Sequence, residues 1–292
     1  MYDQILFPTD GSEPAASVLE YALQIASEHE ATIHVLNVVD TGQDSPAGVR
    51  EAVSDVLEQN GTEIVTEAAQ HATEHGIDVV SEVLHGDPSE AIVEYSTRSA
   101  IELVVMPTHG RRGLQRVLLG SVTERVINTA DVPVIAVNPG VHPLAYPCHD
   151  LLVPTDGSRG SELAVSEGAA LARATGASLH LLHVVETGRL GPDARSLLNE
   201  AELTTRADAI IADATETAEA AAVDSIESEL EFGVPFKTIR TYIDTHDIDF
   251  AVLGTHGTTD FSRYVMGGVS AKIVRTSPVP VMWVREPEPS GE

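Results

Sequence analysis

Pro8-Thr9-Asp10-Gly11-Ser12 follows the short apolar run Ile5-Leu6-Phe7, and the same five residues return as Pro154-Thr155-Asp156-Gly157-Ser158 after Leu151-Leu152-Val153. The offset is 154 − 8 = 146. Val38-Val39 returns as Val184-Val185 at that offset. Gly86 maps to Gly233, Thr108-His109-Gly110 to Thr255-His256-Gly257, and Val132-Pro133-Val134 to Val279-Pro280-Val281, each 147 apart. One residue inserted between Val39 and Gly86 accounts for the change. Five landmarks in register identify a tandem duplication. The domains are expected at 1–139 and 147–286, with a linker at 140–146 in a region punctuated by Pro139, Pro143 and Pro147.

Each half alternates between strand and helix patterns. The apolar runs before Pro8 and Pro154 read as buried parallel strands. Residues 13–28 place Val18, Leu19, Ala22, Ile25 and Ala26 on one helical face, with Ser12 and Ser158 as helix caps. Second strands are expected at Thr32–Val39 and Ser178–Val185, and long helices near 48–75 and 192–223. Third strands follow near Val79–Leu84 and Ser225–Glu231. Gly86-Asp87-Pro88 and Gly233-Val234-Pro235 read as turns into helices with proline in the first turn. Leu103–Met106 and Phe250–Leu253 are fourth strands, Val134–Val137 and Val281–Val284 fifth strands. Five strands alternating with four helices imply an α/β fold: two tandem, doubly wound, five-stranded parallel-sheet domains of Rossmann-like type. In such sheets ligands bind beyond the carboxyl ends of the strands. The loops after strands one and four share that edge.

Composition narrows the function. The 292 residues carry Lys+Arg 17 against Asp+Glu 45, a formal net charge of −28. The length suits two domains of about 150 residues, and 42% hydrophobic with 21% charged residues suits a folded chain. No basic stripe or aromatic-basic cluster offers phosphate contacts, which excludes nucleic acid as a partner. No apolar run approaches the ~18 residues of a membrane span, so a membrane partner is not expected. The start, MYDQILFPTDGS, lacks the basic and apolar regions of a signal peptide, and Cys148 is the only cysteine. A cytoplasmic protein is the expectation. Lys237 and Lys272 are the only lysines; a lysine-poor, carboxylate-rich surface suits a halophile's cytoplasm, where salt screens self-repulsion. An ordinary acidic protein is the alternative.

The glycine loops carry the chemical signal. Thr108-His109-Gly110 is followed by nine residues and Gly120-Ser121-Val122; Gly254-Thr255-His256-Gly257 is followed by nine residues and Gly267-Gly268-Val269. Glycine lets backbone approach an oxyanion closely and leaves N–H donors unhindered. The helix-like stretches that start at Ser121 and Gly268 would add free N–H groups and the positive end of a helix dipole. Tight turns and helix caps are the plain alternative. The two copies beside a second repeated loop favour phosphate binding.

This combination, PTDGS after strand one, G-x-x-G, nine residues, G-[ST] and a closing VPV strand, resembles the universal stress protein family, once per half and over nearly the whole chain. The resemblance implies an adenine nucleotide alpha hydrolase-like fold. It also implies pairing of the two halves as an intramolecular pseudo-dimer, and a stress-response regulatory role without clear catalysis. Many members with the long glycine motif bind ATP. ATP is therefore the implied ligand, with ADP or AMP as alternatives and Mg²⁺ as a companion. A protein partner is implied but not identified, and a homodimer stays open. By resemblance, Asp10 with Pro8 and Thr9 would lie near adenine and ribose. The Val38 main chain would meet the adenine edge, and Met106 would flank the ribose. Gly110, Gly120, Ser121 and Val122 would hold the phosphates. The second half supplies Pro154, Thr155, Asp156, Val184, Leu253, Gly254, Gly257, Gly267, Gly268 and Val269 at the matching places.

Both halves depart from the family pattern. Pro107 stands where the motif begins with Gly, which removes an N–H. Gly268 stands where Ser or Thr is expected, which removes a hydroxyl. One lost hydrogen bond to a charged phosphate is worth about 1.5–3 kcal/mol, so two unequal sites are expected. The first is favoured by Ser121 and by Arg111, Arg112 and Arg116, which could offset phosphate charge.

Other clusters carry less. His71-Ala72-Thr73-Glu74-His75 matches the H-x-x-E-H string of inverted zinc proteases, but it closes a polar helix before Gly76 with no evident third ligand. No metal site is expected there. His109 and His256 are expected to shape the glycine loops, and Cys148-His149 to be incidental. The alternatives to a nucleotide-binding regulator are an interaction scaffold that binds no nucleotide and, less favoured, a slow ATPase using Asp10 or Asp156 with Mg²⁺.

Overall fold

The computed structural model describes residues 1–40, 47–110, 119–141, 144–186, 200–255 and 267–286. The chain divides into two compact units, Met1–Pro147 and Cys148–Glu292. The first unit runs β1 (Gln4–Pro8), α1 (Glu13–Glu28), β2 (Thr32–Asp40), α2 (Ala47–Glu74), β3 (Val79–Gly86), α3 (Pro88–Arg98), β4 (Leu103–Pro107), α4 (Ser121–Thr129) and β5 (Val134–Val137). Its strands pair in parallel in the order β3-β2-β1-β4-β5. The second unit repeats the plan with β6 (Asp150–Pro154), α5 (Arg159–Thr175), β7 (Ser178–Glu186), α6 (Glu200–Ala220), β8 (Ile226–Gly233), α7 (Pro235–Thr245), β9 (Phe250–Gly254), α8 (Ser270–Thr276) and β10 (Val281–Val284). The order there is β8-β7-β6-β9-β10, again parallel.

Helices on both faces explain the unbroken apolar strands. Ile5, Leu6 and Phe7 in β1 and Leu103, Val104 and Val105 in β4 are all buried, as are Leu151, Leu152 and Val153 in β6. The strands β3 and β8 at one end of each order are half covered; their open positions are mostly polar, with Val80 in β3 and Phe232 in β8 exposed as well. In α1, Val18, Leu19, Ala22, Ile25 and Ala26 are buried on one face, as their spacing requires. The hydroxyls of Ser12 and Ser158 accept the Ala15 and Ser161 N–H groups and cap α1 and α5.

Some boundaries differ from the pattern reading. The third strands reach Gly86 and Gly233, past the last apolar residues, because the ladder continues through Asp40↔Gly86 and Glu186↔Gly233. Backbone pairing needs no apolar side chain. The helix expected from Gly268 starts instead at Ser270, whereas α4 starts at Ser121 as expected. Gly268 favours a turn over helix because its backbone has more freedom to lose. The first helical hydrogen bond is nevertheless retained: Ala271 donates to Gly267 as Glu124 does to Gly120. The segment 192–199 of the second long helix lies outside the described residues. Among the described residues, no helix is long and apolar enough to cross a membrane.

Candidate functional site

In each unit the strand-one loop is fixed by a chain of local bonds. Thr9 donates its N–H to Leu36 at 2.8 Å, and Asn37 Nδ2 donates to the Thr9 carbonyl at 2.8 Å. Gly11 takes a positive φ of 70°, which turns the chain so that its N–H meets Thr9 Oγ1 and the Ser12 N–H meets Asp10 Oδ1. The second unit matches this with Ser158 N–H on Asp156 Oδ1 at 3.0 Å. His183 occupies the place of Asn37, and its Nδ1 donates to the Thr155 carbonyl at 2.7 Å. The sequence reading missed this pair. Only the shared offset, 183 − 37 = 146, could have suggested that amide and imidazole do one job.

Val38 lies just past the end of β1. The β1–β2 ladder stops at Pro8↔Leu36. Main-chain groups of successive strand residues face opposite edges. The Leu36 carbonyl faces β1, where Thr9 donates to it, so the Val38 N–H and C=O face the same way, beyond the end of that strand. Val184 repeats the arrangement, since β6–β7 pairing stops at Pro154↔Leu182. Met106 and Leu253 lie in the fourth strands with buried side chains.

The strand-four loop of the first unit is closed on itself. Thr108 donates its N–H to Val137, Gly120 donates back to the Thr108 carbonyl at 2.8 Å, and Thr123 Oγ1 donates to the Pro107 carbonyl at 2.9 Å. Gly120 is the N-cap of α4 and supplies no side-chain cap; Ser121 beside it is exposed and Val122 half-buried. The second unit retains the frame: Gly267 donates to Thr255 at 3.1 Å and Ser270 Oγ to the Gly254 carbonyl at 3.1 Å.

The two loops of the first unit touch. A methyl group on Gly110 would sit 2.3 Å from Asp10 Oδ2, so the carboxylate lies directly over the glycine backbone. The strand-one aspartate, the strand-four glycine and the start of α4 thus gather at one sheet edge, beside the outward-facing Val38 main chain. His109 pairs its Nδ1 with Thr108 Oγ1 at 3.1 Å, and burial pushes its pKa below the ordinary value. That burial disfavours the charged form of the ring.

The profile of the universal stress protein family matches residues 1–138 and again 148–285. The chain belongs to the universal stress protein family. A universal stress protein of Methanocaldococcus jannaschii is 39% identical over 140 residues, spanning 47% of this chain and 82% of its own. One of Mycolicibacterium smegmatis is 27% identical over 294 residues and 96% of each chain. The crystal structure of a universal stress protein from Archaeoglobus fulgidus superimposes with a TM-score of 0.74 at 25% identity, over 97% of this chain and 98% of that one.

The two universal stress protein domains differ where their motifs differ. In the second, a Cβ on Gly254 would lie 2.6 Å from the Gly160 carbonyl carbon and 3.1 Å from the Ser161 nitrogen. Gly254 therefore packs on the backbone of the first turn of α5, a structural role the motif alone did not reveal. In the first domain Pro107 stands at the matching position, 254 − 147 = 107. The Val104 and Thr108 N–H groups face β5, so alternation turns the Pro107 nitrogen toward β1 and the Asp10 loop. The donor that proline lacks is on the site side. Arg111, Arg112, Arg116, His256 and Gly257 lie outside the described residues.

Proposed function

We propose that this universal stress protein binds adenine nucleotide at the carboxyl edge of each domain, as a regulatory module rather than a dedicated catalyst. The contact of the Asp10 carboxylate with Gly110, beside the open main chain of Val38, carries the reading. It unites an acceptor suited to ribose hydroxyls, a main-chain donor and acceptor suited to an adenine edge, and the N-terminus of α4, suited to phosphate. Pro8, Thr9, Met106, Gly120, Ser121 and Val122 complete the first site. Pro154, Thr155, Asp156, Val184, Leu253, Gly254, Gly257, Gly267, Gly268 and Val269 form its counterpart. ATP with Mg²⁺ is the leading ligand, and the setting is the cytoplasm of a salt-rich cell. The first site is the stronger, because Ser121 offers a hydroxyl where Gly268 offers none.

The test is to purify the protein in molar KCl without added nucleotide, release any ligand by heat, and identify and count it by chromatography. About one or two adenine nucleotides per chain are expected. Ser121→Ala should weaken the first site. Gly268→Ser, which has open space around its Cβ, should strengthen the second by roughly ten- to a hundredfold, the worth of one hydrogen bond to a charged group. A protein that is isolated empty and fails to take up millimolar MgATP overturns the reading and leaves an interaction scaffold.

A further inference from the structure

At the other end of the first unit, α1, the last turn of α2 and the residue just after it bring together Glu20, His71 and His75. One ligand atom from each lies within 4.8 Å of the other two. His71 Nε2 is 2.8 Å from Glu20 Oε2, and His75 Nε2 is 3.4 Å from Glu20 Oε1. The two imidazoles are one helical turn apart, with ring centres 4.7 Å apart and planes at 57°. The sequence offered His71 and His75 but no third ligand. The fold supplies it from a helix 51 residues away.

Hydrogen bonding sets the chemistry of this cluster. His75 Nδ1 lies 2.9 Å from the His71 carbonyl, which can only accept, so that nitrogen carries the proton. Its Nε2 faces the Glu20 carboxylate, 3.4 Å from Oε1. An imidazole tied by its far nitrogen to a carbonyl is also the usual arrangement of a metal-ligating histidine. Adjacent ligands of a tetrahedral zinc ion lie about 3.3 Å apart, given bonds of about 2.0–2.1 Å; the His75–Glu20 pair is near that value, and the direct 2.8 Å hydrogen bond of His71 to Glu20 is the one an ion would replace.

We infer that Glu20, His71 and His75 bind one divalent transition-metal ion of the zinc class, with water from the adjoining cavity as fourth ligand. Two imidazole nitrogens select zinc, cobalt or nickel over Mg²⁺ and Ca²⁺, which prefer oxygen. The cavity, about 220 Å³, is bordered by Glu20, His75, Gln24, Glu28 and Tyr146. Glu74 is bonded to Gln70 instead, so the H-x-x-E-H string supplies two ligands and no protease base. The ion ties the end of α2 to α1. The shared bond of Ile77 to Ala72 and of Val223 to Ala218 aligns the domains here, and Ser166, Thr217 and Ala221 stand at the corresponding places in the second. The site belongs to the first domain alone.

The experiment titrates chelator-stripped full-length protein with Co²⁺, read by visible absorption, and with Zn²⁺, read by calorimetry. One ion per chain is expected, with the intense visible bands of four-coordinate cobalt and little competition from excess Mg²⁺. His71→Ala and Glu20→Gln, both at exposed or half-exposed positions, should weaken binding by about a hundredfold or more while leaving nucleotide content unchanged. Binding should also fall on acidification, because ligating imidazoles must lose their protons. The proposal is overturned by no binding, by affinity in both variants unchanged from that of the unsubstituted protein, or by displacement with comparable Mg²⁺. The first would leave an exposed His–Glu pair, and the others a diffuse acidic surface.

Discussion

At the scale of single residues, the first site depends on what is missing at position 110. The Asp10 carboxylate occupies the space a side chain would need, so Gly110→Ala must push the aspartate aside or bend the loop. Overpacking of this kind costs about 1–3 kcal/mol. Asp10→Ala in the same chain should restore most of that loss, since the obstacle goes with the carboxylate. A urea-denaturation cycle over the two single variants and the double measures the coupling. Strictly additive changes would contradict the contact. Gly254 meets backbone rather than a flexible side chain and has no such escape. A glycine motif read as phosphate binding therefore includes one position that packing already requires.

At the scale of elements, the third helix of each domain begins differently although the preceding turns align. Asp87 caps α3, and its Oδ1 accepts the Ser89 and Glu90 N–H groups at 2.9 and 3.2 Å. At the start of α7, Val234 supplies no side-chain cap. The Ser89 hydroxyl first, then the Glu90 N–H, hold the Asp87 carboxyl below its ordinary pKa. A carboxyl depressed in the folded state adds stability above its unfolded pKa of about 3.9, and loses it as pH falls through the lower folded value. Asp87→Ala should therefore cost about 1 kcal/mol at pH 7, with the difference narrowing toward pH 3. Val234→Asp should gain a similar amount at pH 7. Unfolding midpoints of the two variants at both pH values check the pair.

At the scale of the whole molecule, a formal charge of −28 on 292 residues sets the dependence on salt. Repulsion among surface carboxylates opposes the compact state, and the Debye length shrinks from about 10 Å at 0.1 M to about 3 Å at 1 M. The melting temperature should rise steadily with KCl across that range, measured calorimetrically at pH 7. A flat or falling curve would show that these charges are spaced or paired well enough not to strain the fold.

The sequence by itself determined the duplication, the α/β class and the edge at which the loops gather. Period and punctuation are local: apolar runs of about five residues, 3.6-residue faces and prolines report their elements without reference to the rest of the chain. Asp10, Gly110 and Gly120 were legible as candidates for the same reason. Tertiary structure alone decided which residues meet. His183 replaces Asn37 because both reach one carbonyl, and Gly254 is bare because α5 crosses it. Glu20 completes the histidine pair because α1 packs beside α2. Those contacts join residues 28 to 94 positions apart, and no local pattern encodes a distance that only the folded chain sets.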